Sequence, residues 1–258
     1  MAQDASHAPA RVSFTHWPYP AFVAHRGAGR LAPENTLAAL RVGRSFGYRM
    51  FEIDVKLSAD GVALLMHDAT LERTTDGRGP LDALPWAALA RLDAGSWHSC
   101  AFAGEGIPTL DRVARWVLAN GAMLNIEIKP SPGRERETGT AVALAARAAW
   151  RDQAVPPLLS SFSPEALAAA RECAPELPRA LLFDELPGDW LEQCRALGCV
   201  AVDARHSTLD RERIAQAHRA SLRVLAYTVN DAPRAQALFD AGLDVLITDA
   251  VDRIAPSR

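Results

Sequence analysis

Long apolar runs are missing from this chain, and so is any excess of positive charge. No uninterrupted apolar stretch approaches the roughly 20 residues that a bilayer-spanning helix needs, so the sequence is not expected to insert stably in a membrane. A formal net charge of −3 supplies no global field for nucleic acid or for an anionic membrane surface. Cysteine is scarce and unpatterned. Cys100, Cys173, Cys194 and Cys199 show neither CxxC nor zinc-finger spacing, which excludes a disulfide framework as the organising device. The opening twenty residues lack a basic segment followed by an apolar one and so do not resemble a secretory signal. The expectation from these absences is a soluble cytoplasmic protein with reduced thiols and no nucleic-acid partner.

What is present suits a large core. Apolar residues make up 49% of 258 positions, a length that fits one α/β barrel or two small domains, and one domain at 20–258 after an irregular lead-in at 1–19 is expected. Strand-like runs fall at 22–25, 50–55, 123–128, 158–162, 180–183, 200–204, 224–229 and 245–248. Between them lie Ala-, Leu- and Arg-rich segments of helical composition at 36–46, 110–120, 138–150, 164–173, 189–197, 210–220 and 232–241. Asn35 or Thr36 can cap the first and Ser163 the fourth, while Gly47, Gly121, Gly198 and Gly242 follow four helix ends. Strand and helix alternating in this way predict an α/β fold, a (β/α)8 TIM barrel.

A ninth strand-like run at 62–67 is separated from the second strand only by 57–61, too short for a parallel crossover. It is expected outside the barrel, in a small insertion after the second strand at about 56–106, with Trp86, Trp97 and Phe102 as a small core. Insertions from the carboxyl end of a barrel strand lie over the active-site face, which returns His67 to the site.

Side chains alternate along a strand, so Glu52 and Asp54 share one face of the second strand, and Asn125, Glu127 and Lys129 share one face of the third. Carboxylates gathered inside a barrel repel one another unless a cation compensates them. Oxygen ligands without a Cys/His cluster suit a hard divalent cation, Mg2+ or Ca2+. The alternative is a half-exposed strand whose polar face is merely solvated, but central strands of an α/β fold are buried on both sides. His25 and His67 are candidate acid and base. Arg26 offers a fork for phosphate oxygens, and Lys129 lies two residues beyond Glu127 on the same face, where it can neutralise that residue or reach a phosphate.

Taken in order, His25-Arg26-Gly27, Pro33-Glu34-Asn35-Thr36, Glu52-Ile53-Asp54-Val55, His67-Asp68, Arg73-Thr74-Thr75-Asp76-Gly77, Asn125-Ile126-Glu127-Ile128-Lys129, Thr228-Val229-Asn230 and Thr248-Asp249 resemble a glycerophosphodiester phosphodiesterase over about residues 22–250. The short cytoplasmic bacterial members are the most similar in kind. The resemblance implies a barrel with an insertion after the second strand. It also implies one divalent metal on Glu52, Asp54 and Glu127, His25 and His67 as general acid and base, and phosphate contacts from Arg26 and Lys129. The implied reaction is hydrolysis of a small-molecule glycerophosphodiester, such as glycerophosphocholine or glycerophosphoethanolamine, to sn-glycerol 3-phosphate and an alcohol. Two departures concern the substrate pocket and the chain end: Tyr227 stands where the family often has tryptophan, as a smaller platform for the glycerol, and the proline usual soon after the last Thr-Asp is absent. A lyase that releases a cyclic phosphate, built on the same barrel, and a non-catalytic binding module are the alternatives.

Overall fold

The alternation along β2 (Met50–Leu57) and β4 (Met123–Ile128) decides which way these strands face. Phe51, Ile53, Val55, Leu124, Ile126 and Ile128 are fully buried in the outer core shared with the helices, so Glu52, Asp54, Asn125 and Glu127 point the other way, into the barrel. The computed structural model describes residues 17–254 and Pro256. The lead-in expected at 1–19 falls almost wholly outside those residues.

Eight parallel strands close the barrel: β1 (Phe22–Ala24), β2, β4, β5 (Leu158–Ser161), β6 (Arg179–Phe183), β7 (Ala201–Arg205), β8 (Arg223–Tyr227) and β9 (Val245–Thr248). Ala24 pairs with Phe51 and with Thr248, which joins the first strand to both its neighbours and leaves no barrel edge. Val23, Met50, Leu158, Ala180, Ala201, Leu225, Val245 and Ile247, with Tyr19, form a second apolar cluster on the inward face. They fill the lower barrel as a packed floor.

Helices α1 (Leu37–Ser45), α3 (Leu110–Ala119), α4 (Glu135–Ala149), α5 (Pro164–Cys173), α6 (Trp190–Ala196), α7 (Arg211–Arg219) and α8 (Ala232–Asp240) follow successive barrel strands. Thr36 rather than Asn35 caps α1, its hydroxyl accepting from the Ala39 N–H, and Ser163 caps α5 in the same way. α4 starts three residues before the expected 138. Glu135 and Glu137 occupy its first turn, where negative charge favours a helix N-terminus. α4 and α5 approach closely because a Cβ on Gly139 would fall 2.2 Å from the Ala166 carbonyl oxygen.

The ninth strand, β3 (Ala63–Leu65), pairs antiparallel with the end of β2, Val55 opposite Leu65, and stays outside the barrel. Its pairing extends β2 to Leu57, two residues past the expected end. The insertion also holds α2 (Trp86–Leu89) and a core of its own, but the composition differs from expectation. Leu64, Met66, Leu71, Leu81 and Leu89 form it, with Trp86 only packed against its side. Trp97 is 40% exposed, and Phe102 packs instead on Ala28, Ala32 and Ala39. Leucines win because a small core under a loop has no depth for three large rings, which pack at its edges.

Candidate active site

Register brings the acidic residues together. Parallel pairing of β2 with β4 sets Asp54 beside Glu127 and Glu52 beside Asn125. Glu52, Asp54 and Glu127 each offer an oxygen within 4.8 Å of the others, all three residues being buried. Burial and the neighbouring carboxylates push Glu52 well above the usual carboxylate range and raise Glu127 too. Burial pushes Asp54 the same way, but Arg26 and Lys129 outweigh it and hold Asp54 at about 2. Among the described residues, Glu52 Oε1 is buried with no hydrogen-bond partner. That orphaned oxygen, the oxygen-only donor set and the excess of carboxylate over cation all fit a hard divalent cation.

Each histidine is oriented by its own carboxylate. His25, directly after β1, places Nδ1 2.6 Å from Asp249 Oδ1. Asp249 is in turn held by the Asn230 amide at 3.0 Å. Burial raises the Asp249 carboxyl, but its bonds to His25 and Asn230 leave it below the ordinary value, hence ionised and accepting. The proton of that contact therefore sits on Nδ1, and Nε2 turns to the site, 3.8 Å from Glu52 Oε2. His67 repeats the arrangement with Nδ1 2.7 Å from Asp68 Oδ1. The insertion carries it back over the barrel mouth, where the Met66 N–H donates to the Asp54 carbonyl at 3.1 Å.

Arg73 binds Asp68 at 2.6 Å and Glu34 at 2.7 Å, and Glu34 takes a 2.8 Å bond from Arg26. An unbroken ionic chain thus runs from His67 in the insertion to Arg26 on the barrel. Arg26 Nε lies 3.3 Å from Asp54 Oδ2, and its backbone N–H donates to Glu52 Oε2 at 3.0 Å. Asn35 donates to Asp54 Oδ2 at 2.8 Å and accepts from the Asp54 N–H at 3.0 Å. Both Arg26 and Asn35 take positive φ, 50° and 59°, a conformation that costs free energy and is held by these contacts. Lys129 donates to Glu127 Oε1 at 2.8 Å and lies 3.4 Å from Asp54.

His25, Arg26, Glu52, His67, Glu127 and Lys129 face a cavity of about 410 Å3. Its mouth carries Phe162, Asp184 and Tyr227, the two rings meeting edge to face at 5.9 Å. The Tyr227 hydroxyl donates to the Phe183 carbonyl at 2.9 Å. The pocket suits a small ligand with one anionic group.

The family model for the glycerophosphoryl diester phosphodiesterase family matches residues 25–253. The chain belongs to that family. YhdW of Bacillus subtilis is 32% identical over 238 residues, spanning 90% of this chain and 95% of that protein. A glycerophosphodiester phosphodiesterase of Caldanaerobacter subterraneus is 29% identical over 232 residues, spanning 88% and 93%. Among solved structures, an Oleispira antarctica phosphodiesterase in complex with the product sn-glycerol-3-phosphate is similar, with TM-score 0.85, 38% identity and coverage of 91% and 95%.

For this phosphodiesterase family member, every site residue expected from sequence lies at one barrel mouth: His25, Arg26, Glu52, His67, Glu127, Lys129 and Tyr227 line the cavity, and Asp54 closes the triad. Sequence reasoning gave no role in the site to Glu34, Asn35, Arg73, Asn230 and Asp249, which orient them. The backing of His25 also depends on Gly29. Its φ is +54°, and a Cβ there would lie 2.1 Å from the Asp249 carbonyl oxygen. Gly29→Ala is therefore expected to displace Asp249, lowering the unfolding midpoint by several degrees and turnover with it. Thermal unfolding and steady-state kinetics check both, and an unchanged kcat would show that Asp249 does not need its present position.

Proposed function

We propose that the chain hydrolyses glycerophosphodiesters, such as glycerophosphocholine or glycerophosphoethanolamine, to sn-glycerol 3-phosphate and an alcohol, and that residues 20–258 act as one catalytic unit. The observation that carries this is two carboxylate-backed histidines facing one buried triad of carboxylates within a single cavity. Glu52, Asp54 and Glu127 would hold one divalent cation, Mg2+ or Ca2+, which when bound supplies Lewis-acid polarisation of a phosphoryl oxygen. Arg26 and Lys129 bind the remaining phosphoryl oxygens and stabilise the charge that builds on them. His25 and His67 divide the proton work through their Nε2 atoms. One accepts the proton of the attacking hydroxyl while the other protonates the leaving alkoxide. Asp249 and Asp68 keep each ring turned inward.

Release of sn-glycerol 3-phosphate from glycerophosphocholine, by metal-stripped protein with Mg2+ or Ca2+ restored, tests the proposal. Metal-restored turnover supports it, and none with any head group overturns it. Phosphorus NMR of the product separates the open phosphate of a hydrolase from the cyclic phosphate that a lyase on the same barrel would release.

A stability effect accompanies this. The raised pKa values of Glu52 and Glu127 mean that the folded state binds the extra protons. The stability they contribute is complete below the unfolded carboxylate value of about 4.3 and is lost as pH rises through the folded values. The increment in unfolding midpoint on adding Mg2+ should therefore be larger at pH 8 than at pH 5, since the cation replaces those protons. Equal increments at the two pH values would contradict the triad as the metal site.

A further inference from the structure

Helix α6 and strand β7 are joined by a turn whose backbone bonds bring two thiols together. The Cys199 N–H donates to the Cys194 carbonyl at 2.9 Å, and the Gly198 N–H to the Arg195 carbonyl at 3.0 Å. Gly198 takes φ of +63°, so α6 ends in the nested pair of bonds that a left-handed glycine makes after a helix. In such a turn the side chains at the two outer positions touch, ordinarily as an apolar contact. Here both positions are cysteine, and the two thiols are hydrogen-bonded to one another. Cys194 is fully buried and Cys199 partly so, both against the same outer core.

This geometry suits a covalent bond. The 2.9 Å contact is separated from the two Cα atoms only by one carbonyl group and one N–Cα bond, which keeps them within the ~6.8 Å limit for a disulfide. Side chains that already meet satisfy the other requirement, that the Cβ vectors converge. Arg179 adds charge to the turn. It is 2% exposed, and its guanidinium donates to the carbonyls of Pro175, Leu177, Leu197 and Gly198. Those partners are neutral, and its charge acts on Cys199, the next residue along. A cation beside a thiol favours attack by its sulfur.

We propose that Cys194 and Cys199 form a reversible oxidation site, at which a hydroperoxide drives closure of a disulfide across the α6–β7 turn. The Cys199 sulfur, the more accessible of the two, attacks the peroxide oxygen. The O–O bond breaks, leaving a sulfenic acid on Cys199 and an alcohol or water as the reduced product. The Cys194 sulfur then attacks the Cys199 sulfur and displaces hydroxide, which departs as water with the Cys194 proton. The thiol pair gives up two electrons and the peroxide takes two. The new bond fixes the point at which β7 begins.

Trypsin cuts after Arg195, between the two cysteines, so peptides 180–195 and 196–205 stay joined only through a disulfide. Folded wild-type protein treated with hydrogen peroxide, then unfolded in an alkylating agent and digested, tests the site. The linked pair is expected in most of the protein, from chains that run singly on a non-reducing gel, and dithiothreitol should return two free peptides. Cys199→Ser should abolish the link and leave Cys194 reduced. Cys194→Ser should leave a sulfenic acid on Cys199 that dimedone captures. Unlinked peptides at a peroxide dose that fully oxidises the exposed Cys100, or a link found only between two chains, overturn the site.

Discussion

Replacing His25 by alanine is expected to lower kcat by about 10²- to 10⁴-fold, the range for loss of one positioned proton-transfer group. That corresponds to about 3–5.5 kcal/mol of transition-state stabilisation. The fall should appear in kcat rather than KM, because the His25 ring is held by Asp249 from behind and offers the substrate one nitrogen. Asp249→Asn separates orientation from chemistry. An amide in place of the carboxylate can present its N–H to Nδ1, which moves the ring proton to Nε2 and removes the acceptor from the site. A loss approaching that of His25→Ala would assign Asp249 the setting of the tautomer. Near-normal turnover of His25→Ala with saturating Mg2+ would remove His25 from the proton chemistry.

The second large effect belongs to Asp54→Asn. Asp54 is 1% exposed and meets four partners at once: the Asn35 amide, Arg26, Lys129 and its own place in the triad. Asparagine preserves the volume and an acceptor for Asn35 but removes the charge that both cations face. Mg2+ binding by calorimetry should become undetectable at concentrations that saturate wild type, and kcat should fall by roughly 10²- to 10³-fold, as when one electrostatic stabiliser of a transition state is removed. The folded state should lose about 1.5–3 kcal/mol, the worth of hydrogen bonds to a charged group. That part is a consequence of charge alone, because Arg26 and Lys129 retain Glu34 and Glu127 as other partners. Normal Mg2+ affinity in this variant would exclude Asp54 from the metal site.

How much of this was legible in sequence depends on how local each signal is. Glu52-Ile53-Asp54 and Asn125-Ile126-Glu127 announce their inward face because alternation is written within six residues. The exclusion of 62–67 from the barrel followed from a five-residue connection, and β3 sits accordingly. The tryptophans of the insertion misled, since aromatic content does not say which ring finds depth. Asp249 was visible as the end of a Thr-Asp pair, but nothing local joins it to His25, 224 residues away. The same holds for Arg73 and Glu34, 39 apart. Asp203, one carboxylate in the apolar run 200–204, is 1% exposed because barrel closure leaves that stretch of strand no solvent side.

The ionic chain from Arg26 through Glu34, Arg73 and Asp68 to His67 ties two separately built pieces of the molecule. One histidine is mounted on the barrel frame. The other is mounted on a leucine-cored module joined to that frame by the pairing of β3 with β2, by the packing of Phe102 and by the Arg73–Glu34 bridge. Competence and foldedness are therefore different quantities here. A closed barrel with its insertion slightly ajar would still be native by its strands and helices, yet would hold only half of the proposed proton-transfer pair.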